Sequence, residues 1–159
     1  MKILPFYICL IFLLSCNEPE LLEIPGNDIV IDIPVDVVLF DNFSQIKLID
    51  HPLRITKTRI ENDSLIINVE YSGGCTKHDF KLFIGKWILK SNPPQAELYL
   101  SHNSNGDMCE AYIRREIKFD LYQLKNWFGN SMNLKGVLIL RIHEPGSNEP
   151  FIPMVSYIL

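Results

Sequence analysis

Two short stretches carry side chains able to do chemistry together. The first is Cys75-x2-His78, inside Tyr71-Ser72-Gly73-Gly74-Cys75-Thr76-Lys77-His78-Asp79-Phe80, and the second is His102-x6-Cys109, with Asp107 inside it. Two thiolates and two imidazoles form a ligand set that zinc accepts, at roughly 2.0–2.3 Å per bond. The second spacing is looser than zinc fingers use. The same cysteines can instead join as a disulfide, leaving His78, His102 and Asp107 as a smaller metal-ligand set or as turn-fixing hydrogen bonders. Nucleophilic catalysis has no comparable support, because no Gly-x-Ser-x-Gly elbow occurs and Gly73-Gly74 is too short for a phosphate loop. The segment from Asn103 to Asp107 is rich in oxygen ligands but lacks EF-hand spacing. Trp87 and Trp127 are candidates for a carbohydrate-binding face, or for ordinary core and rim positions.

The elements that would position these residues are strands. Hydrophobic residues make up 47% and charged residues 21%, the profile of a folded domain. Ile and Leu dominate and Ala is nearly absent, which favours strand over helix. Leu65, Ile67, Val69 and Tyr71 alternate with Ile66, Asn68 and Glu70, and Glu61-Asn62-Asp63-Ser64 turns the chain back from Arg54–Ile60, so a hairpin is expected. A long strand runs from His78 to Leu89, with Gly85 marking a bulge or bend. Ala96–His102, Ala111–Phe119, Val137–His143 and Phe151–Leu159 follow, the last as an edge strand because of Pro153. At the start, Ile29–Ile33 is broken by Pro34, which suits an edge or a change of sheet, and Val35–Phe40 continues extended. One short helix is expected over 121–128, capped by Asp120. About seven to nine short strands with frequent turns predict an all-β fold, an antiparallel β-sandwich of immunoglobulin-like type, with a small β-barrel as the alternative.

The N-terminus reads as an address. One lysine precedes an apolar run from Ile3 to Leu14, shorter than the ~18 residues that a bilayer span needs. The run ends in Leu13-Leu14-Ser15-Cys16, followed by polar and acidic residues. These four positions resemble the lipobox of bacterial lipoproteins. The resemblance covers residues 1–16 and implies that 1–15 is a removed signal peptide and that Cys16 carries the diacylglyceryl group and an acylated amine. Several acyl chains anchor a protein stably where one holds it marginally. Asn17 in place of an aspartate favours the outer membrane, on its periplasmic face or at the cell surface, and Glu18 and Glu20 add weak support for surface export. Residues 16–27, with Pro19, Pro25 and Gly26, then form the lipidated end and a tether, and 28–159 a single domain. Outside the cytoplasm, the two cysteines left after processing, Cys75 and Cys109, pair by default as a disulfide, with the metal site as the other reading. The Ser72-Gly73-Gly74-Cys75-x-x-His78-x-Phe80 pattern is similar to that of small envelope lipoproteins of unknown activity and implies no chemistry of its own.

Composition narrows the partners. A net charge of -4 and the lack of a basic run argue against nucleic acid. No cofactor is expected. The membrane is met through the lipid anchor, and an envelope protein or glycan is the expected further partner. The expected role is a non-enzymatic binding or accessory module, with a metal-binding protein built on His78, His102 and Asp107 as the alternative.

Overall fold

The computed structural model describes residues 29–31, 35–146 and 153–159. The signal segment 1–15, Cys16 and the tether 16–27 lie outside the described residues, as do Pro34 and part of the 144–150 turn. Nine strands are described: β1 (Ile29–Ile31), β2 (Val37–Phe40), β3 (Arg54–Glu61), β4 (Ser64–Gly73), β5 (Asp79–Leu89), β6 (Gln95–Asn103), β7 (Ala111–Asp120), β8 (Val137–His143) and β9 (Met154–Ile158).

They form two sheets, ordered β1-β7-β4-β3 and β2-β5-β6-β8-β9, packed as a sandwich. Neither sheet closes on itself, so the barrel alternative falls. The alternation read from the sequence becomes the core. Leu65, Ile67, Val69 and Tyr71 of one sheet meet Leu82, Ile84, Leu98, Leu100, Leu138 and Leu140 of the other, all buried. The β3–β4 hairpin forms around Asn62, whose φ of 55° is the left-handed conformation that Asn tolerates in tight turns. The ladder of β5 with β6 shifts register between Ile84 and Ile88, the irregularity expected at Gly85. A Cβ at Gly85 would lie 2.6 Å from the Trp87 ring, so glycine is required there by packing.

Three pairings are parallel: β1 with β7, β2 with β5, and β6 with β8. The first two place the chain's opening strands in different sheets, as a break at Pro34 suggests. The third follows from the crossover between β7 and β8, where the expected helix lies. That helix differs from the simple α-helix of the sequence reading. A single α-turn, α1 (Tyr122–Leu124), is continued by a π-helical turn over Lys125–Ser131. The N-cap is Leu121 rather than the expected Asp120 and makes no side-chain cap bond; Asp120, one residue earlier, accepts the Tyr122 N–H through Oδ1 at 2.8 Å. The Met132 N–H reaches the Trp127 carbonyl, five residues back. The wider turn keeps Leu124 and Phe128 fully buried while Trp127 lies partly exposed beside them, its indole N–H directed to the Lys86 carbonyl at 3.3 Å. This cap closes one end of the sandwich. The loops β4–β5 and β6–β7, with the disulfide, close the other.

Candidate functional site

The disulfide end brings the two chemistry-bearing stretches together. β4 and β7 run antiparallel with Gly73 opposite Ala111, and β5 and β6 with Asp79 opposite Asn103. The two loops connecting these strands are therefore neighbours. Cys75 and Cys109 are bonded to each other, with Cα atoms 5.8 Å apart and a sequence separation of 34. The disulfide reading holds.

Asp107 sits between the loops and holds both. Its Oδ2 accepts the backbone N–H groups of Gly74, Cys75 and Thr76 at 2.9–3.0 Å, and its Oδ1 accepts that of Cys109 at 2.9 Å. Three successive N–H groups converging on one oxygen make a backbone nest, an arrangement that favours negative charge. Gly74, at φ 116°, supplies the left-handed backbone that the nest needs. The hydrogen bonds from Cys109 and Thr76, reinforced by Cys75 and His78, hold the Asp107 carboxyl well below the usual carboxylate range. The β6–β7 loop presents Asp107 through the turn at Asn105-Gly106. Both residues have positive φ, and the Asp107 N–H closes the turn onto the Ser104 carbonyl at 3.0 Å.

The two histidines continue inward from Asp107. His78 Nε2 lies 3.2 Å from Asp107 Oδ2, and His78 Nδ1 lies 2.8 Å from His102 Nε2. His102 Nδ1 donates to the His51 carbonyl at 2.9 Å. Both histidines are buried, 3% and 1% exposed, with Ser101 the other buried polar residue among the described residues. Tyr71 stacks on His78 with centroids 4.6 Å apart, and Phe80 stacks on His102 at 5.0 Å. Burial pushes His102 below its ordinary value and Tyr71 above its own. Close packing explains the neighbouring glycine: a Cβ on Gly73 would lie 2.6 Å from His78 Nε2.

This geometry is a relay rather than a metal cage. Asp107 and His102 bind different nitrogens of the same His78 ring, and those nitrogens diverge. One ion cannot sit on both, so His78, His102 and Asp107 do not converge on a common coordination point. The cysteines, bonded to each other, offer no thiolate. The oxygen-rich loop is also spent internally. Asn105 Nδ2 donates to Asp79 Oδ2 at 2.7 Å and to the Lys77 carbonyl at 2.8 Å, Asn103 and Asn105 bond each other, and Asp107 faces N–H donors. Asp79 thus serves the loop rather than the histidines.

The remaining sequence candidates separate. Trp87 lies on the outer face of the five-stranded sheet, edge-on to Phe40 at 5.1 Å, whereas Trp127 packs against the inter-sheet core. They share no carbohydrate face. His143 stacks on Tyr99 at 4.3 Å, away from the disulfide end. His51, read from sequence as an ordinary rim residue, is part of the cluster. Its carbonyl receives His102, and its Nδ1 accepts the Ser104 N–H at 2.9 Å. The segment holding His51 runs beside β6, where Asp50 bridges His102 in parallel, a long-range pairing that no residue type near His51 announces. A cavity of about 610 Å3 borders the cluster, with His51, Arg54, Tyr71, His102, Asp107 and Tyr112 in its lining.

No family model matches the sequence, and no curated protein matches it. Solved structures do. A protein of unknown function, DUF1344, from Bacteroides vulgatus aligns over 80% of this chain and 58% of its own, at 19% identity and a TM-score of 0.54. A NigD-like immunity protein from Bacteroides caccae aligns over 79% of this chain and 64% of its own, at 12% identity and a TM-score of 0.57. The chain spans about three-fifths of the length of these structures. At such identities the likeness establishes the fold: a two-sheet β-sandwich of the kind seen in DUF1344 and NigD-like proteins.

Proposed function

We propose that this chain is a lipid-anchored envelope protein that works as a non-enzymatic binding module, presenting the loops of its disulfide end to a protein partner. The observation that carries the reading is how those loops are held. The acid, the two imidazoles and the cystine spend their bonding capacity on one another and on backbone, which is how a framework is built. A catalytic group must instead keep a bond free for substrate. Loops fixed before contact lose less entropy on binding, so a rigid loop pair beside a cavity suits recognition. The immunity label of one structural neighbour is compatible with a protein partner, and it enters here as analogy between folds.

The anchor rests on Leu13-Leu14-Ser15-Cys16. Cys16→Ala should abolish palmitate labelling and move the protein from the membrane to the soluble fraction. Continued detergent-phase partitioning would overturn the anchor. The binding end is tested by placing a photo-crosslinker at Met108, 90% exposed in the β6–β7 loop, and separately at Tyr122, 68% exposed at the opposite end. A discrete adduct from Met108 and none from Tyr122 is expected in envelope preparations. The reverse pattern would remove the disulfide end as the binding surface.

A further inference from the structure

The histidine pair allows its protons to be counted. At one end, His102 Nδ1 lies 2.9 Å from a carbonyl oxygen, which only accepts, so that nitrogen carries hydrogen. At the other, His78 Nε2 lies 3.2 Å from the Asp107 carboxylate, which its four backbone N–H donors hold ionised and which also only accepts. Between the rings, His78 Nδ1 and His102 Nε2 are 2.8 Å apart, and one hydrogen must stand there. Three hydrogens on four ring nitrogens is one more than two neutral imidazoles hold.

We propose that His78 and His102 together hold one excess proton, neutralised by Asp107, and that this singly protonated state is the lock that joins the loops of the disulfide end. Removing the proton leaves the His78 Nε2 lone pair facing a carboxylate. Adding a second sets two N–H groups against each other across 2.8 Å. Either change breaks one bond of the relay. Burial disfavours charge on His102, so the charge resides chiefly on His78, beside the carboxylate.

The surrounding charges leave this count unchanged. On the cavity side, Glu70 of β4 is already engaged by Tyr112 and Arg114 of β7, and Arg54 of β3 lines the cavity wall. Tyr71 of β4 covers the face of His78, not its nitrogens, and Arg115 of β7 acts on that tyrosine. His51, in the segment before β3, accepts from His102 Nδ1 through its carbonyl and donates its N–H to the His102 carbonyl at 3.2 Å. Its ring stands edge-on to the His102 ring with centroids 6.4 Å apart, so a positive charge on His51 would act with burial to disfavour charge on His102 and keep the excess proton on His78. In the β4–β5 loop and at the start of β5, Lys77 and Asp79 flank His78 along a separate outer groove, and Asp79 is bonded to Asn105.

The sign of the pH dependence follows. An unfolded histidine titrates near about pH 6.5. Below that the unfolded chain binds two protons at these rings and the folded pair one, so stability falls with acid. Above it the unfolded rings bind none and the folded pair one, so stability falls with alkali. The contribution of the pair therefore peaks close to neutrality.

Nitrogen NMR of 15N-histidine-labelled protein at pH 6.5 reads the count directly. Two protonated ring nitrogens on His78 and one, Nδ1, on His102 are expected. One protonated nitrogen per ring, or two on each, overturns the proposal. His102→Gln supplies a second readout, since its amide can accept from His78 Nδ1 and donate to the His51 carbonyl. Compared with the native chain across pH 5 to 9, this variant should lose the acid decline in melting temperature assigned to the pair and keep the alkaline one. An unchanged acid decline overturns the proposal, and the NMR result decides should the variant not fold.

Discussion

Replacing both Cys75 and Cys109 by Ser removes a cross-link that spans 34 residues of sequence. In the chain-entropy account, a loop of that length restricts the unfolded ensemble by an amount worth about 4 kcal/mol at 25 °C. The folded state should change little, because Asp107 still bonds Gly74, Cys75, Thr76 and Cys109 through their backbone N–H groups, which serine retains. Nearly the whole loss is thus expected to come from the unfolded side. Against a domain stability of ~5–15 kcal/mol this is a large share. It corresponds to a melting temperature roughly 10–15 °C lower. Urea unfolding followed by tryptophan fluorescence should show a lower midpoint together with a steeper denaturant dependence, since an uncrosslinked chain exposes more surface. An unchanged midpoint would refute the reasoning. A lower midpoint accompanied by loss of the histidine relay in NMR spectra would instead show that the bridge shapes the folded loops.

Other perturbations test separate parts of the fold. Asp107→Asn keeps the shape of the side chain but removes the carboxylate. In the native protein a carboxyl held below its ordinary range contributes stability that is present above about pH 4 and is lost as the pH falls further. The variant should therefore melt at lower temperature near neutrality and show a flatter acid decline between pH 5 and 2; a native acid decline would mean that Asp107 is not the titrating group. Phe128→Ala empties the core beneath the π-turn, where the side chain is fully buried, and should cost about 3–5 kcal/mol by urea unfolding. A cost below about 1 kcal/mol would mean that the helical cap rearranges to fill the space.

What the sequence made legible was local. Alternation in Leu65–Tyr71, Asn62 in its turn and Gly85 at its bulge each act within a few residues, and each gives the structure expected of it. The parallel pairings were hidden because no tight turn announces them. β6 and β8 come together across a whole intervening strand and helical cap, and the side chains of Val137–His143 suit either strand direction. The site divided in the same way. The proximity of Cys75, His78, His102 and Asp107 was legible from residue types, but the role of Asp107 was not. Four of its partners are backbone N–H groups, three of them more than thirty residues away, and backbone donors have no residue-type signature. The trace they leave is in glycine. Gly73 has no room for a side chain against His78, and Gly74 has the conformation that the nest requires.

The parallel placement of the opening strands also governs when the fold can form. β1 finds its partner in β7, and β2 in β5, so neither can pair as it emerges from a ribosome or a translocation channel. The four-stranded sheet is incomplete until the chain has been delivered through Asp120, and the five-stranded sheet until β8 and β9 arrive. Early strands that must wait for late ones raise the loop-closure cost of the first native contacts and slow folding. The local hairpins β3–β4 and β5–β6 need no such wait, so the opening strands are laid onto a frame that the later chain builds.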